Sequence, residues 1–371
     1  MGPLHGLKII EIAGIGPGPF AAMLLADLGA TVLRVDRIEQ SDVGISRPDR
    51  FNPLLRNRER LALNLKDPGG VENLLKLLET ADGMIEGFRP GVAERLGFGP
   101  EVCLKQNPKL VYGRITGWGQ TGPLARAPGH DLNYISLTGA LNAIGRAGQP
   151  PTIPLALVGD FGGGALYLAL GMLAGLLSVS NGGEGQVVDA AMVDGASSLA
   201  TTFFGLKAAG MWNSERGTNI LDSGAPFYEV YECQDGRWIS ISAIEPKFFK
   251  TLVNKIGIDP AVIDDQYDRS RWPEIKKLLA NTFRTRTQQE WSDVLEGTDA
   301  CFAPVLSFDD APNHPHMKER DVLIDVDGIV QPGPAPRFSK TVLARPIAPQ
   351  TEITQDFSAV LARWTTAGER Q

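Results

Sequence analysis

The sequence is poor in the side chains that bind metals through sulfur or imidazole, with three cysteines and four histidines among 371 residues. Cys103, Cys233 and Cys301 are far apart and form no CxxC pair, which argues against a zinc site and is typical of a reducing compartment. A clustered run of Lys and Arg is also missing, and the net charge is −7. Because phosphate neutralisation needs a basic face, we predict no nucleic-acid partner, and we predict no metal centre.

Uncharged stretches are equally scarce, and residues 161–183 are the one candidate for a membrane span. Five glycines lie within this stretch before Leu176, and Asp160 directly precedes it, so a buried helix facing small neighbours fits better. The N-terminus lacks the basic and apolar regions of a secretory signal, and the C-terminus lacks a peroxisomal tripeptide. We therefore expect a cytoplasmic protein with no membrane partner.

The order of apolar segments predicts an α/β fold with two cores. A chain of 371 residues that is 43% hydrophobic is long enough for two domains. Strand-like and helical runs alternate up to residue 210, which predicts βαβ units and an open parallel sheet. We predict a linker at 211–226, where the composition becomes polar and aromatic, and a smaller α+β domain at 227–324. Residues 325–371 are expected to return to the large domain.

The first βαβ unit carries a glycine-rich loop similar to a dinucleotide-binding turn. Residues 14–19 follow a predicted strand at 7–12, and Asp36 ends the next predicted strand. Pro17 and Pro19, however, remove two backbone N–H donors that would hold a pyrophosphate. We therefore interpret the loop as a structural turn, with a nicotinamide-dependent dehydrogenase as the alternative.

Three arginines, Arg37, Arg89 and Arg114, fall at or just after predicted strand ends. The carboxyl ends of parallel strands share one edge of the sheet, where open α/β folds bind ligands. We therefore predict a local positive patch suited to phosphates on an otherwise acidic protein. A solvated surface position is the alternative for each arginine.

Two groups that can hold or release a proton stand at turns: His130 before a predicted helix, and Asp160 before the glycines at 162–164. The backbone N–H groups at that glycine-rich helix start are suited to stabilising an enolate oxygen. Glu245 follows a predicted strand and is suited to orienting an imidazole. Each group also has a structural interpretation: a packed or surface histidine, and a glutamate favoured by a helix dipole.

A set of motifs spread over nearly the whole chain carries a resemblance to a known family. The motifs are residues 7–18, 34–37, 60–66, 88–92, 129–134, 157–164, 185–194, 244–246 and 297–305. Together they resemble the family III CoA-transferase superfamily of the CaiB/BaiF type, and within it the α-methylacyl-CoA racemase branch.

By this resemblance, His130 and Asp160 match the two catalytic bases, and Glu245 matches the carboxylate partner of the histidine. The resemblance also implies CoA-binding roles for a longer set of residues: Arg37, Ala62, Leu63, Asn64, Leu65, Arg89, Gly129, Asp131, Leu132, Asn133 and Tyr134. It implies a Rossmann-like large domain made from both chain ends, a small domain, and an interlocked homodimer. The active site would then lie between the large domain of one subunit and the small domain of the other.

The implied reaction interconverts (2R)- and (2S)-2-methylacyl-CoA through an enolate, with no cofactor besides the coenzyme A of the substrate. The nearest alternative is a family III CoA-transferase in which Asp160 attacks the thioester, and a non-catalytic CoA-binding protein is another. His130 and Glu245 favour the racemase, because a transferase needs no second base paired with a carboxylate. Ser223 departs from the family's pattern, since a glycine is expected in its turn, and Asn64 stands where an aspartate is common.

Overall fold

A computed structural model describes residues 2–39 and 44–366, which form two compact units. Unit 1 comprises Met1–Thr138, Leu155–Ala200 and Arg320–Gln371, and unit 2 comprises Gly139–Pro154 and Thr201–Glu319. Two of these boundaries, after Ala200 and after Glu319, differ from the predicted ones after residues 210 and 324. The transfer of residues 139–154 to unit 2 is a feature that the sequence pattern did not indicate.

Strands and helices alternate along the described chain. The strands are β1 (Lys8–Ile12), β2 (Thr31–Asp36), β3 (Arg58–Ala62), β4 (Gly83–Glu86), β5 (Val111–Thr116), β6 (Gln186–Ala191), β7 (Tyr228–Glu232), β8 (Trp238–Ser242), β9 (Phe302–Val305), β10 (Leu323–Val326) and β11 (Ile329–Pro332). The helices are α1 (Pro17–Asp27), α2 (Pro68–Leu78), α3 (Val92–Leu96), α4 (Pro100–Gln106), α5 (Asp131–Leu137), α6 (Ala140–Ala143), α7 (Leu166–Ser180), α8 (Met192–Leu199), α9 (Thr201–Ala208), α10 (Pro246–Ile256), α11 (Trp272–Phe283), α12 (Gln288–Leu295), α13 (Pro315–Glu319) and α14 (Phe357–Thr366). Short 3₁₀ turns occupy Asp49–Phe51, Pro53–Leu55, Pro260–Ile263 and Ala311–Asn313.

Unit 1 is built on a six-stranded sheet in the order β3-β2-β1-β4-β5-β6, and all of its neighbouring strands pair in parallel. This is the strand order of doubly wound dinucleotide-binding folds, so the α/β prediction is confirmed. The order reverses between β1 and β4. Ligands bind such sheets beyond the carboxyl ends of the strands near this reversal, where the loops after β1, β2 and β4 lie.

Successive side chains along the strands of the sheet point to opposite faces, and each face packs against its own hydrophobic core. Ile10 and Leu33 point to a cluster that is closed by α2 and by Trp364 of α14. Ile9 and Val32 point to the opposite cluster, which contains side chains of α1 and α7. The sheet is therefore covered by helices on both sides, as expected of parallel strands. Val360 and Trp364 place α14 in the first of these cores.

Unit 2 contains a three-stranded antiparallel sheet in the order β7-β8-β9 and its own core. The amphipathic helix α10 buries Phe249, Leu252 and Val253, and α12 buries Trp291, whose indole N–H donates to the Phe283 carbonyl oxygen at 2.8 Å. The predicted α+β character of this part is confirmed. A separate two-stranded ribbon, β10 and β11, belongs to unit 1.

Residues 211–226, predicted as a linker, instead pack within unit 2. The side chain of Asn219 is buried and donates to the Asn213 carbonyl oxygen at 2.9 Å and to Asp222 at 2.7 Å. The Arg216 guanidinium donates at 2.6 Å to the carbonyl oxygens of Asn142 and Gln149. The two Arg216 bonds join residues 139–154 to this segment, and the Asn219 bonds order the segment itself. The polar and aromatic composition at 211–226 therefore reflects packed hydrogen-bonding groups.

The uncharged stretch forms a 24-residue helix, Leu157–Ser180, which begins as a π-helical segment, Leu157–Ala165, and continues as α7. Its length and apolar composition would allow it to cross a membrane, and core helices of soluble proteins meet the same criteria. One face packs in the core through Leu168 and Met172. The opposite face exposes Leu166, Leu170 and Leu177, with Leu170 63% accessible. The helix therefore contributes to the sheet packing and also leaves an apolar face uncovered.

Candidate active site

His130 stands directly before α5, in an extended backbone conformation that starts the helix. Its backbone N–H donates to the Asn133 side-chain oxygen at 3.1 Å, and its carbonyl oxygen accepts the backbone N–H groups of Asn133 at 2.8 Å and Tyr134 at 3.2 Å. The imidazole is exposed. The backbone of His130 is thus fixed by the first helical turn, while its ring remains accessible to a substrate.

Asp160 lies in the π-helical turn at the start of the long helix, and its side chain is half-buried. Its backbone N–H and that of Gly159 donate to one carboxylate oxygen of Asp131, at 2.7 Å and 2.6 Å. Wide π-helical turns often occur at functional sites because they displace a side chain from the regular helix surface. The side chain of Asp160 therefore sits on a backbone turn that the residue after His130 holds in place.

The structure thus brings the two predicted bases together in unit 1. Burial, together with the nearby Asp131 carboxylate, raises the pKa of Asp160 to about 6, and His130 acts in the opposite direction. A carboxylate that titrates close to neutral pH is a stronger base than an ordinary aspartate and still releases its proton readily. The pair is therefore suited to proton transfer.

Gly16 completes this region from the loop after β1. It has a φ of +63°, and a methyl group added to it would lie 3.1 Å from a carboxylate oxygen of Asp160. The loop interpreted as a structural turn therefore contacts the candidate base, which the sequence did not reveal. A glycine in a loop at the reversal point of the sheet is the signal that could have indicated it.

The loop does not have the surroundings of a dinucleotide site. Asp36, in the position that would bind a ribose, is buried and forms ion pairs with Arg34 at 3.0 Å and with Arg60 at 2.8 Å. Glu11 forms further buried ion pairs with Arg34 and Arg58. These acids are occupied within the fold, so none of them is presented to a ligand.

The prediction that Arg114 contributes to an anion-binding patch is wrong. Arg114 is buried in β5 and forms ion pairs with Glu86 and Glu94, both at 2.7 Å. Because its charge is balanced inside unit 1, it cannot serve a phosphate. A side chain that points into the fold from within a strand cannot be distinguished by sequence from one just beyond the strand end.

Arg37 and Arg89 remain at the ligand-binding edge, and both side chains are exposed. They follow β2 and β4, which are separated by β1 alone, so their strands lie about 10 Å apart. The pKa of the Tyr134 hydroxyl is raised, first by burial and then by Asp160, and Arg89 acts in the opposite direction. This influence places Arg89 near the start of α5.

The other predicted CoA-binding residues differ in accessibility. The side chains of Ala62, Leu63, Asp131 and Tyr134 are buried, so for these residues a ligand contact would need the backbone. Asn64, Leu132 and Asn133 are exposed, and Leu65 and Gly129 are half-buried. The CoA-binding roles of these residues stay predictions.

Glu245 belongs to unit 2 and immediately precedes α10. Its carbonyl oxygen accepts from the backbone of Phe248 at 3.0 Å and Phe249 at 3.1 Å, but its exposed carboxylate makes no capping hydrogen bond. The Cys301 thiol lies within electrostatic reach, since burial and then Glu245 raise the pKa of that thiol. The Glu245 side chain is thus not committed to its own helix.

Within residues 2–39 and 44–366, no group of three His, Cys, Asp or Glu side chains is arranged to hold a metal ion. The absence of a metal from the reaction stays a prediction.

The raised pKa of Asp160 predicts how stability depends on pH. The pKa of Asp160 is about 6 in the folded protein and 3.8 for an ordinary aspartate, so its ionised form destabilises the fold. The loss of stability is greatest above pH 6 and disappears as the pH falls towards 3.8. Asp160→Asn should therefore raise the melting temperature at pH 8, and the gain should shrink as pH falls from 6 to 4. Differential scanning calorimetry of both proteins tests this, and an equal shift at every pH would contradict it.

Comparison with known proteins identifies the chain's relatives. The model of CoA-transferase family III matches residues 4–352. The mouse protein "Alpha-methylacyl-CoA racemase" is 42% identical over 91% of this chain and 87% of its own length. The Acetobacter aceti protein "Acetyl-CoA:oxalate CoA-transferase" is 31% identical over 90% of this chain and 88% of its own length. A CaiB/BaiF family protein from Brucella suis has a similar structure, with a TM-score of 0.83, 25% identity, and coverage of 98% of this chain and 99% of its own. The chain belongs to CoA-transferase family III.

Proposed function

We propose that this protein is a racemase that interconverts (2R)- and (2S)-2-methylacyl-CoA by moving a proton at the α-carbon. The observation that carries the proposal is the pairing of an accessible His130 with a half-buried Asp160 of raised pKa, at the ligand-binding edge of the sheet. The 42% identity to the mouse racemase over 91% of the chain supports the reaction class.

The reaction needs two bases on opposite faces of one carbon. One base accepts the α-proton, and the electron pair of the broken C–H bond moves onto the thioester oxygen to form an enolate. The conjugate acid of the other base then donates a proton to the opposite face, which restores the carbonyl and inverts the configuration. His130 and Asp160 fill these roles, and each acts as base in one direction. The chemistry requires no cofactor besides the coenzyme A of the substrate.

The enolate oxygen needs hydrogen-bond donors, and one predicted source is already occupied. The backbone N–H groups of Gly159 and Asp160 donate to Asp131 rather than to a ligand. The backbone N–H groups of Asp131 and Leu132 follow His130 directly, in the first turn of α5. We assign the enolate oxygen to these donors, each of which contributes roughly 2.7–4 kcal/mol in comparable sites.

The coenzyme A moiety binds along the same edge. Arg37 and Arg89 are exposed beyond β2 and β4 and are suited to the phosphates, because guanidinium groups pair with phosphate oxygens in a bidentate manner. We assign the residues at 64–65 and 132–133 to the part of coenzyme A between its phosphates and the thioester. This arrangement directs the thioester to the two bases.

The active site is completed by a second copy of the chain. We assign the Glu245 carboxylate of one subunit to the His130 imidazole of the other, where it would hold the ring in one tautomer. Two observations support a dimer: the Glu245 side chain makes no capping hydrogen bond, and unit 1 exposes the apolar face of Leu166, Leu170 and Leu177. A second subunit that covers this face would remove exposed apolar surface from water.

A CoA-transferase is the second candidate, because the family includes enzymes of that name and the chain has a carboxylate suited to attack a thioester. In that reaction Asp160 would form an acyl-aspartyl anhydride and release the CoA thiolate, and an acceptor acid would be required. The α-carbon would keep its hydrogen throughout.

Incubation of one epimer of a 2-methylacyl-CoA in D2O distinguishes the two candidates. We expect incorporation of one deuterium at the α-carbon together with loss of chirality, without any acceptor acid, as measured by mass spectrometry and chiral chromatography of the released acid. The matched control is the same incubation with a 2,2-dimethylacyl-CoA, which has no α-hydrogen and should gain no deuterium. Product formation that depends strictly on an added carboxylic acid, with no deuterium incorporated, would establish the transferase instead.

A further inference from the structure

The Asp131 carboxylate links the segments that carry the two bases. It follows His130 directly, and one of its oxygens accepts the backbone N–H groups of Gly159 and Asp160 at 2.6 Å and 2.7 Å. A methyl group added to Gly159 would lie 2.6 Å from that oxygen, so the close approach depends on glycine at this position. The turn that carries Asp160 is thus held against the start of α5 by one side chain.

The second oxygen of Asp131 is unusual. The residue is only 5% accessible, and this oxygen is buried without a hydrogen-bond partner among the described residues. A buried carboxylate normally satisfies both oxygens, because an unpaired buried charge is costly. An asparagine would accept the same two hydrogen bonds without the charge, so holding the turn does not by itself require an aspartate.

We infer that Asp131 is a positioning residue of the proton-transfer site, which fixes the Asp160 turn beside His130 and keeps a negative charge against Asp160. This inference rests on the proposed function. The Asp131 side chain acts through Asp160 and His130 and does not itself exchange a proton with the substrate. It also gives the buried side chain a role other than the CoA contact predicted for this residue.

The surroundings of Asp160 show which groups can influence it. Asp131 and His130 face it from the start of α5, and Gly16 faces it from the loop after β1. Tyr134, also on α5, interacts with Asp160, and Arg89 interacts with Tyr134. Of these groups, Asp131 is the carboxylate that opposes ionisation of Asp160, so its removal should make Asp160 a weaker base.

The test compares Asp131→Asn with Asp131→Ala. In the direction in which Asp160 accepts the proton, kcat/KM of the wild type should rise as the pH passes through the pKa of Asp160. In Asp131→Asn this rise should occur at lower pH, and KM should stay within about twofold of the wild-type value. Asp131→Ala also loses the hydrogen bonds, so kcat should fall by about 10²-fold with little change in KM. Asp325→Asn is the matched control, because the Asp325 carboxylate also accepts a backbone N–H, that of Gly328 at 3.0 Å, but in the turn between β10 and β11. The pH profile of kcat/KM in this variant should match that of the wild type.

Two further measurements keep the outcomes separate. A ¹³C NMR titration of the aspartate carboxyl groups measures the pKa of Asp160, whose signal is assigned by its loss in Asp160→Asn. This pKa should be lower in Asp131→Asn than in the wild type. The measurement needs no substrate, so it does not depend on the proposed function. Absence of α-deuteration by the wild-type protein would overturn the proposed function but not this electrostatic link. An unchanged Asp160 titration, or a rise in KM in Asp131→Asn without a change in the pH profile, would overturn the inference. Should Asp131→Ala fail to fold, Asp131→Asn decides.

Discussion

Replacing His130 with alanine should slow racemisation at the α-carbon by about 10²- to 10⁴-fold, the usual contribution of a general acid–base group. Asp160→Asn should have an effect of the same size. The reason is that inversion needs both bases, one to remove the proton and one to return it to the opposite face. Racemisation is measured by chiral chromatography from each pure epimer.

The two variants should differ in the exchange that remains. In His130→Ala, Asp160 can still remove and return a proton on its own face, so one epimer should exchange its α-hydrogen in D2O with retention of configuration. In Asp160→Asn, the opposite epimer should exchange. This reversed preference is specific to two bases that face each other across the substrate, and mass spectrometry of each epimer measures it.

The control for these variants is His5→Ala, since His5 is exposed in the N-terminal segment before β1 and should leave the activity unchanged. Loss of exchange for both epimers in both variants would indicate a single catalytic unit rather than two opposed bases. Survival of acyl transfer in His130→Ala, with an acceptor acid present, would favour the transferase.

Two inactive variants should restore activity when they share a dimer. His130→Ala and Glu245→Ala homodimers should each have little activity, since each lacks one member of the pair assigned to every site. In the heterodimer, one site combines an intact His130 with an intact Glu245 from the other chain. Heterodimers purified through two different affinity tags should therefore recover about half of the wild-type activity, because one of two sites is complete.

A heterodimer without recovered activity would contradict the assignment of Glu245 to the other subunit. If Glu245 serves the His130 of its own chain, each chain of the heterodimer carries one defect and no site is complete, so activity should stay at the level of the homodimers. A chain that remains monomeric by analytical ultracentrifugation would remove the basis of the experiment and contradict the dimer.

Much of the fold could be predicted from local pattern. The apolar runs near β1, β2 and β4 and the amphipathic pattern of α10 each reflect a single buried face, which a short window reveals. The small and apolar residues at 191–209 predict one long helix, but the structure divides this stretch into α8 and α9 at the boundary between the two units. Small residues continue on both sides of this break, so composition does not indicate it. Ser223 has a φ of +73°, which explains why a glycine is expected in its turn.

The site was harder to predict, because its features depend on contacts between distant segments. His130 and Asp160 could be nominated from their turns, but the hydrogen bonds that join them come from Asp131, and the contact with Gly16 comes from a loop more than a hundred positions earlier. For Arg114, contacts between distant segments exclude a role in the site that the sequence predicted. Its partners Glu86 and Glu94 are apparent only when β4 and β5 are placed side by side.

The division of unit 1 into separate stretches of chain affects its synthesis on the ribosome. Val360 and Trp364 close the core that Ile10 and Leu33 begin, yet the whole of unit 2 is translated between them. The nascent chain must therefore keep an incomplete apolar sheet protected while unit 2, whose own core is finished first, folds ahead of it. We expect chaperones that bind exposed apolar segments to associate with the earlier-made portion until α14 emerges.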